Sequence, residues 1–299
     1  MSGFIATLER LDRRWIFLAM AIAVAGPIVY IGITGKTLPE TSTPAAQAVY
    51  DAIEALPKGS RVLISYDFDP GSSGELLPMA TSLVHQCAAR DLKMVFIALW
   101  PLGPQMVTDT IKRVITADFP QMKEGVDYVN LGFQSGNEAV MKVMLTDFKK
   151  AFPKSEKGTA TGQIPMLEGV TRVKDFPLLV TISAGYPGAK EWIQYVVSSS
   201  GGEITMVTGC TGVQTPQLFP YFPAQLRGML GAIKGAAEYE SLVNASLAPG
   251  DNSPVPPKYL EAQRRMGPQL GAHLLMVALI ILGNIAFFAQ RREKAQVKS

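Results

Sequence analysis

Two long stretches without charge, one near each end, constrain this chain more than any other feature of its sequence. The first runs from residue 15 to residue 34 and the second from residue 270 to residue 289, so each is 20 residues long. A helix rises about 1.5 Å per residue, and about 20 apolar residues therefore cross the roughly 30 Å hydrocarbon layer of a membrane. The sequence predicts two transmembrane helices, with the lipid bilayer as a partner of the chain.

The first apolar stretch has a second interpretation, a cleaved signal peptide. Arg10, Arg13 and Arg14 resemble the basic start of such a peptide, and the Ala-Val-Ala at 23–25 fits a cleavage site. The apolar run continues well beyond that site and contains Pro27, which would follow the cut closely. An uncleaved anchor is the preferred interpretation.

The charges indicate an orientation. Residues 1–14 carry three Arg and two acidic residues, and residues 290–299 carry four basic residues and one acidic residue, so the tails hold charges of +1 and +3 and the rest of the chain has a net charge of −1. Basic tails stay in the cytoplasm. We expect a protein of the cytoplasmic (inner) membrane with two spans, cytoplasmic N and C termini and an extracytoplasmic main domain. Arg264 and Arg265, just before the second span, argue mildly against this orientation.

Composition excludes several classes of protein. The chain is 47% hydrophobic with 2 Cys, which is unlike a disordered chain or a disulfide scaffold. A nucleic-acid partner is not expected, because nucleic-acid domains concentrate basic charge on one face and here the excess lies in the tails.

The residues between the spans alternate strand-like and helix-like runs. A linker and a helix at 35–60 precede a domain at 61–247, and a Pro-rich linker at 248–269 leads to the second span. Strand-like runs occupy residues 61–67, 93–100, 128–133, 177–184 and 203–210, and helix-like runs follow at 74–90, 104–117, 138–152, 188–198 and 223–243.

The strand-like runs are continuously apolar, which is typical of strands buried on both faces of a parallel sheet. The alternation predicts one α/β domain with a doubly wound, mainly parallel five-stranded sheet of Rossmann or flavodoxin type. The long connection at 153–174 is expected to be a mobile insertion or a binding flap.

In such sheets ligands bind beyond the carboxyl ends of the strands, where the strand order reverses. A flavodoxin-like order would place this point between the first and third strands. The predicted ligand cleft is therefore formed by two loops, with residues Asp67, Asp69, Ser72, Ser73, Gly74, Gln134, Ser135, Gly136 and Asn137.

The chemistry of that cleft is open. Asp67 and Asp69 have the spacing that can place two carboxylates near a divalent cation. The alternative is ordinary turn chemistry, in which Asp69 precedes Pro-Gly and Ser72 or Ser73 caps the next helix. Neither GxGxxG nor GxxxxGK[ST] is present, and His85 is the only histidine outside the spans, so the sequence predicts no cofactor, no metal site and no catalytic triad.

Two features favour contacts with other chains. Small residues at 228, 231 and 235 fall on one side of the predicted last helix, where each glycine costs up to about 1 kcal/mol relative to alanine. The close approach this implies is made either by the domain's own sheet or by a neighbouring subunit. The preceding Pro-rich loop is expected to expose aromatic side chains, so the predicted interface comprises Phe219, Tyr221, Phe222, Gly228, Gly231 and Gly235.

The membrane spans also carry candidate contacts. Ala21 and Ala25 belong to a small-residue side of the first span, which suits helix association, and His273 and Asn284 are polar groups that can hydrogen-bond across to it.

Two functions follow as hypotheses. The preferred one is a membrane-anchored structural or scaffolding subunit whose α/β domain assembles as a homo-oligomer or with other subunits of a membrane complex. The alternative is a ligand-sensing or metal-dependent enzyme domain that uses the cleft around Asp67 and Asp69.

Overall fold

The structure is a computed structural model that describes residues 12–247 and 255–296. The described chain forms two compact units, one from Glu40 to Gln263 and one from the residues up to Pro39 together with those from Arg264. Most of the predicted tail at 1–14, residues 248–254 of the Pro-rich linker and the last residues of the basic tail at 290–299 lie outside the description.

A six-stranded, fully parallel sheet forms the centre of the Glu40–Gln263 unit. The strands are β1 (Arg61–Asp67), β2 (Lys93–Ala98), β3 (Tyr128–Phe133), β4 (Leu178–Ser183), β5 (Met206–Cys210) and β6 (Gly228–Gly231). Their order across the sheet is β3-β2-β1-β4-β5-β6. The prediction of a mainly parallel α/β sheet is confirmed, but the sheet has six strands rather than five.

Helices flank this sheet. They are α2 (Pro44–Glu54), α3 (Ser73–Ala89), α4 (Gly103–Thr110), α5 (Glu138–Thr146), α6 (Phe148–Ala151), α7 (Ala189–Trp192), α8 (Thr215–Leu218) and α9 (Ala232–Leu247). π-helical turns extend α4 through Thr116 and α7 through Val197. Short 3-10 turns include Pro70–Ser72, Thr161–Gln163, Pro165–Leu167, Val173–Asp175 and Phe219–Tyr221.

Both faces of the central strands are buried, which explains why their sequences lack polar alternation. One buried cluster joins alternate residues of the strands, such as Leu63 and Val95, to Phe148 and Trp192 on the covering helices. Leu63 also lies in register with Val95 on one side and with Leu179 on the other. β1 is thus held at the middle of the sheet.

The sixth strand corrects the predicted helix at 223–243. Gly228 and Gly231 lie in β6, and helix α9 begins only at Ala232, whose φ is 55°. No loop separates β6 from α9, so the small residues of both elements have the spacing of a single helix in the sequence. The strand is glycine-containing because a Cβ at Gly228 would meet the backbone nitrogen of Val49 in α2 at 2.6 Å.

The connection at 153–174 covers the edge strand β3. The amide of Glu156 donates to the carbonyl of Asn130 in β3 over 3.0 Å. Met166, Leu167 and Val170 are fully or almost fully buried in the main core cluster. The segment therefore protects a sheet edge and contributes to the core, which differs from the predicted mobile insertion or flap.

The second unit contains helix α1 (Arg13–Thr34) and helix α10 (Glu261–Gln296), of which the part after Arg264 belongs to this unit. Both are long and apolar enough to span a membrane. They contact each other through glycine: a Cβ at Gly271 would lie 2.4 Å from the carbonyl oxygen of Ala23, and one at Gly267 would lie 3.3 Å from Pro27.

The contact between α1 and α10 lies on a different side from the one predicted. Ala21, Ala25, His273 and Asn284 are all exposed. The contacting residues of α1 are instead Ala23, Pro27 and Ile31, which recur at a spacing of four. The small-residue stripe of α1 is broad, so composition alone did not distinguish its two sides.

Candidate functional site

The carboxyl edge of the sheet is the candidate site, because ligands of open α/β sheets bind where the strand order reverses. Here the order reverses between β1 and β4. The predicted position between the first and third strands is therefore wrong. β3 lies at the sheet edge beyond β2, so the loop with Gln134, Ser135 and Asn137 does not adjoin β1 as the predicted cleft requires.

Asp67 ends β1 at the reversal point and is fully buried. One of its oxygens accepts the amide N–H of Leu99 over 2.9 Å, and the other accepts the indole N–H of Trp192 over 2.9 Å. The hydroxyl of Ser65 adds a third donor at 2.8 Å. The donors come from the residue after β2, from helix α7 and from β1 itself, so the carboxylate joins three parts of the domain.

Burial dominates the electrostatics of this carboxyl. It raises the pKa of Asp67 to about 6, although the hydrogen bonds from Leu99, Trp192 and Ser65 act in the opposite direction. An acid held this way is enclosed by protein donors. It does not offer an open coordination position to a metal or a substrate, which removes one member of the predicted Asp67 and Asp69 pair.

The loop after β4 closes over the same region. The indole N–H of Trp100, which follows β2, donates to the carbonyl of Pro187 over 2.8 Å. A Cβ at Gly185 would lie 3.3 Å from the Trp100 ring. Because β1 lies between β2 and β4, this contact spans the carboxyl end of β1. The Trp100 side chain therefore bridges the loops on either side of the carboxyl end of β1.

Further bonds connect the loops of this edge. The side chain of Gln214, after β5, donates to the carbonyl of Gly185 over 2.8 Å and accepts from the Ser183 hydroxyl over 3.0 Å. The carboxylate of Glu75 accepts the amide N–H of Gly212 over 2.9 Å. The loops after β1, β4 and β5 thus form one connected surface.

The remaining residues of the first predicted loop have structural roles. Asp69 caps the Pro70–Ser72 turn by accepting the amide N–H of Ser72 over 3.2 Å. The Ser73 hydroxyl donates to the Pro70 carbonyl over 2.7 Å. Ser72 occupies the N-cap position of α3 without a side-chain capping bond. The sequence left two alternatives for Asp69, a cation ligand and a turn cap, and in the structure Asp69 caps the turn.

The second predicted loop is attached to the loop after β4. The amide of Gln134 donates to the carbonyl of Ala98 over 3.0 Å, and Ser135 is exposed. Asn137, with a φ of 47°, precedes α5. The hydroxyl of Tyr186 donates to the carboxylate of Glu138, which lowers the pKa of Glu138 and raises that of Tyr186.

Large apolar side chains project from this edge. Val213 is 82% exposed, Tyr186 60%, Leu102 49% and Phe133 39%. The first three follow β5, β4 and β2, and Phe133 is the last residue of β3. We call these four residues the carboxyl-edge apolar surface. A contiguous set of exposed apolar side chains is typical of a surface that binds another macromolecule. We did not predict Trp100, Tyr186 or Val213 from the sequence, although for Trp100 and Tyr186 an aromatic residue beside Pro at a strand end was a visible signal.

The predicted aromatic interface is only partly exposed. Phe219 is 57% exposed, as expected. Tyr221 packs against the core cluster and its hydroxyl accepts from Gln194 over 3.0 Å, and Phe222 is half-buried. Of the three aromatic residues of this loop, Phe219 alone is exposed.

The predicted glycine interface is occupied within the domain. Cβ atoms at Gly231 and Gly235 would lie 2.8 Å from Thr215 and from the backbone of Leu230, respectively. Together with the contact of Gly228 on α2, these distances show that the close approach comes from the domain itself.

We searched the described residues for side chains that could bind a metal ion or form a disulfide. Among the residues of 12–247 and 255–296, no group of three or more His, Cys, Asp or Glu side chains is placed to hold a metal ion. Cys87 and Cys210 are free, buried thiols.

No protein-family model, no curated protein and no solved structure matches this chain.

Proposed function

We propose that this chain is a membrane-anchored assembly subunit, whose α/β domain binds copies of itself or other subunits of a membrane complex through the carboxyl edge of its sheet. The observation that carries the proposal is that this edge has packed side chains where open α/β sheets bind a ligand, with exposed apolar side chains around them. Trp100 and the Asp67–Trp192 pair fill the reversal point, while the carboxyl-edge apolar surface projects around it. Such a surface favours a protein partner over a small ligand.

The strand order supports a Rossmann-like fold within this proposal. The order β3-β2-β1-β4-β5-β6 is that of dinucleotide-binding sheets. In those proteins a glycine-rich turn after the first strand approaches the pyrophosphate. Here the turn is Asp69-Pro-Gly-Ser-Ser-Gly74, which lacks that spacing. The proposal therefore assigns the fold to assembly and not to nucleotide binding.

The membrane arrangement belongs to the same proposal. Helices α1 and α10 would cross the cytoplasmic membrane, with both tails in the cytoplasm and the Glu40–Gln263 unit outside it. The basic residues of the tails support this orientation. Val126→Cys introduces an exposed thiol, away from the proposed assembly surface, into a chain whose own thiols are buried. An impermeant maleimide should label this variant in intact cells, and labelling only after lysis contradicts the orientation.

The assembly surface is tested by a matched pair of variants. Val213→Asp places a charge on the carboxyl-edge apolar surface, and Val126→Asp places the same charge at the other end of the sheet, before β3. Both valines are exposed, at 82% and 42%. The native mass of each protein is measured after extraction in mild detergent. Val213→Asp should reduce the mass of the assembly and Val126→Asp should leave it unchanged; equal behaviour of the two variants contradicts the proposal.

A further inference from the structure

A pocket of about 400 Å³ opens at the opposite, amino edge of the sheet. It lies where β5 and β6 begin, between the turn that ends helix α7 and the segment that leads into β6. Its lining includes Val197, Ser198, Ile204, Thr205, Met206 and Arg227. This volume is within the range of about 300–1,000 Å³ that is usual for small-molecule sites.

The pocket has an apolar floor and a polar rim. Val197, Ile204 and Met206 are at most 3% exposed and supply aliphatic and thioether surface. The rim carries the hydroxyls of Ser198 and Thr205 and the guanidinium of Arg227, all on exposed residues. An apolar body can therefore lie on the floor while a polar head reaches the rim.

Arg227 is the only charged side chain among the described residues that line the pocket. Its amide donates to the carbonyl of Met206 over 2.8 Å, which fixes its backbone at the start of β6. Glu203, which lies in the chain between the lining residues Gly202 and Ile204, pairs with Lys174 over 3.1 Å. The charge of Arg227 is thus left without a carboxylate from the lining.

The hydroxyl at the rim is also available as a donor. The oxygen of Ser198 accepts the side-chain amide of Gln225 over 3.3 Å, which leaves its O–H free to donate to a ligand. Together with the guanidinium, this gives a fork of donors and a neighbouring hydroxyl. A carboxylate has the planar geometry that a guanidinium binds through two parallel hydrogen bonds.

We propose that this pocket binds a small monocarboxylate with an apolar body, held by Arg227 at the carboxylate and by Val197, Ile204 and Met206 along the body. A single cation balances a single negative charge, which favours a monocarboxylate over a phosphate dianion. The carboxylate can belong to a free small molecule or to the C-terminus of a peptide, because both present the same head group.

The test uses full-length protein in mild detergent with 4-fluorobenzoate as the probe and 4-fluorobenzamide as its neutral counterpart, both followed by fluorine NMR. The benzoate should bind, and the benzamide should bind at least about tenfold more weakly, since the charge-assisted hydrogen bonds are lost. Arg227→Gln should weaken benzoate binding by a similar factor. Arg172→Gln, which removes an exposed arginine outside the pocket, should leave it unchanged.

Three results would overturn the proposal: no binding of benzoate, equal binding of benzoate and benzamide, or equal binding of benzoate to the wild type and Arg227→Gln. Preference for inorganic phosphate over benzoate would also overturn it. Arg227→Lys keeps the positive charge but loses the paired donors of the guanidinium. It should bind benzoate more weakly than the wild type and more tightly than Arg227→Gln. A short peptide ending in Phe, compared with its C-terminal amide, identifies the source: tighter binding of the free acid than of benzoate assigns a peptide terminus, and weaker binding assigns a free carboxylate.

Discussion

The indole N–H of Trp192 donates to the carboxylate of Asp67 over 2.9 Å, although 125 residues separate the two in the chain. Both side chains are fully buried. The bond joins the end of β1 to helix α7 at the point where the strand order of the sheet reverses. A position that holds a ligand in related architectures is here part of the core.

Trp192→Phe tests the contribution of this bond to stability. The substitution keeps an aromatic ring and removes the donor, so one oxygen of a buried carboxylate loses a partner. We expect the free energy of unfolding to fall by about 1–3 kcal/mol. Urea unfolding of the full chain in mild detergent measures it. Tyr195→Phe, in the same helical segment, removes a hydroxyl from a half-buried ring and should cost less than about 0.5 kcal/mol; equal losses would show that the Asp67 bond has no special weight.

His85 makes stability depend on pH. Its ring stacks on Tyr259 with the centroids 3.8 Å apart and also contacts Phe119. Burial lowers the pKa of His85 to about 4, and the nearby charges of Asp118 and Lys258 act on it in opposite directions. Between about pH 4 and 6.5 the unfolded chain binds a proton that the folded chain does not, so this contribution to stability is lost as the pH falls.

The variant His85→Phe keeps the stacked ring and removes the titration. The difference in unfolding free energy between wild type and His85→Phe should rise by up to about 3 kcal/mol from pH 4 to pH 7. The raised pKa of Asp67 makes the unfolding free energy change with pH in the opposite direction. Asp67 is present in both proteins, so its contribution cancels in the difference. A difference that stays flat with pH would contradict this account of His85.

Gly228 is expected to tolerate no side chain. A Cβ there would lie 2.6 Å from the backbone nitrogen of Val49, so Gly228→Ala must displace helix α2 from β6. We expect a loss of about 1–3 kcal/mol, which thermal or urea unfolding will detect. Gly162→Ala is the matched control, because a Cβ at Gly162 meets nothing within 4 Å. Similar stability of the two variants would argue against the close packing of α2 on β6.

Gly271 serves the same purpose between the two terminal helices. Gly271→Leu would drive a side chain into the carbonyl of Ala23, whereas a Cβ at Gly283 meets nothing within 4 Å. Gly271→Leu should therefore lower the aggregation temperature of the detergent-extracted protein, and Gly283→Leu should not. If both variants aggregate at the wild-type temperature, helices α1 and α10 do not pack as described.

The sequence predicted the five longer strands because each is a continuous apolar run bounded by turn residues. It did not predict β6, since Gly228-Met-Leu-Gly231 is short and joins α9 without a turn. It also could not predict the edge cover by residues 153–174, which depends on a backbone bond to Asn130 and on distant core contacts.

At the candidate site, the sequence identified Asp67 and the loops at strand ends, but not that Asp67 is buried and hydrogen-bonded. The donors to Asp67 come from Leu99 and Trp192, which are far away in the chain, and no local pattern reveals such partners. The strand order decided the rest. With β4 rather than β3 beside β1, the loop of Tyr186 lies where the loop of Asn137 was expected, and Trp100 reaches across to it.

The native mass of the wild-type protein, extracted from its own membranes in mild detergent and measured by mass photometry, tests the central claim most directly. One chain has a mass of 32.3 kDa. We expect an assembly, either a multiple of this mass or a larger particle with other chains identified by mass spectrometry. A single chain in its detergent shell, with no other protein present, would contradict it.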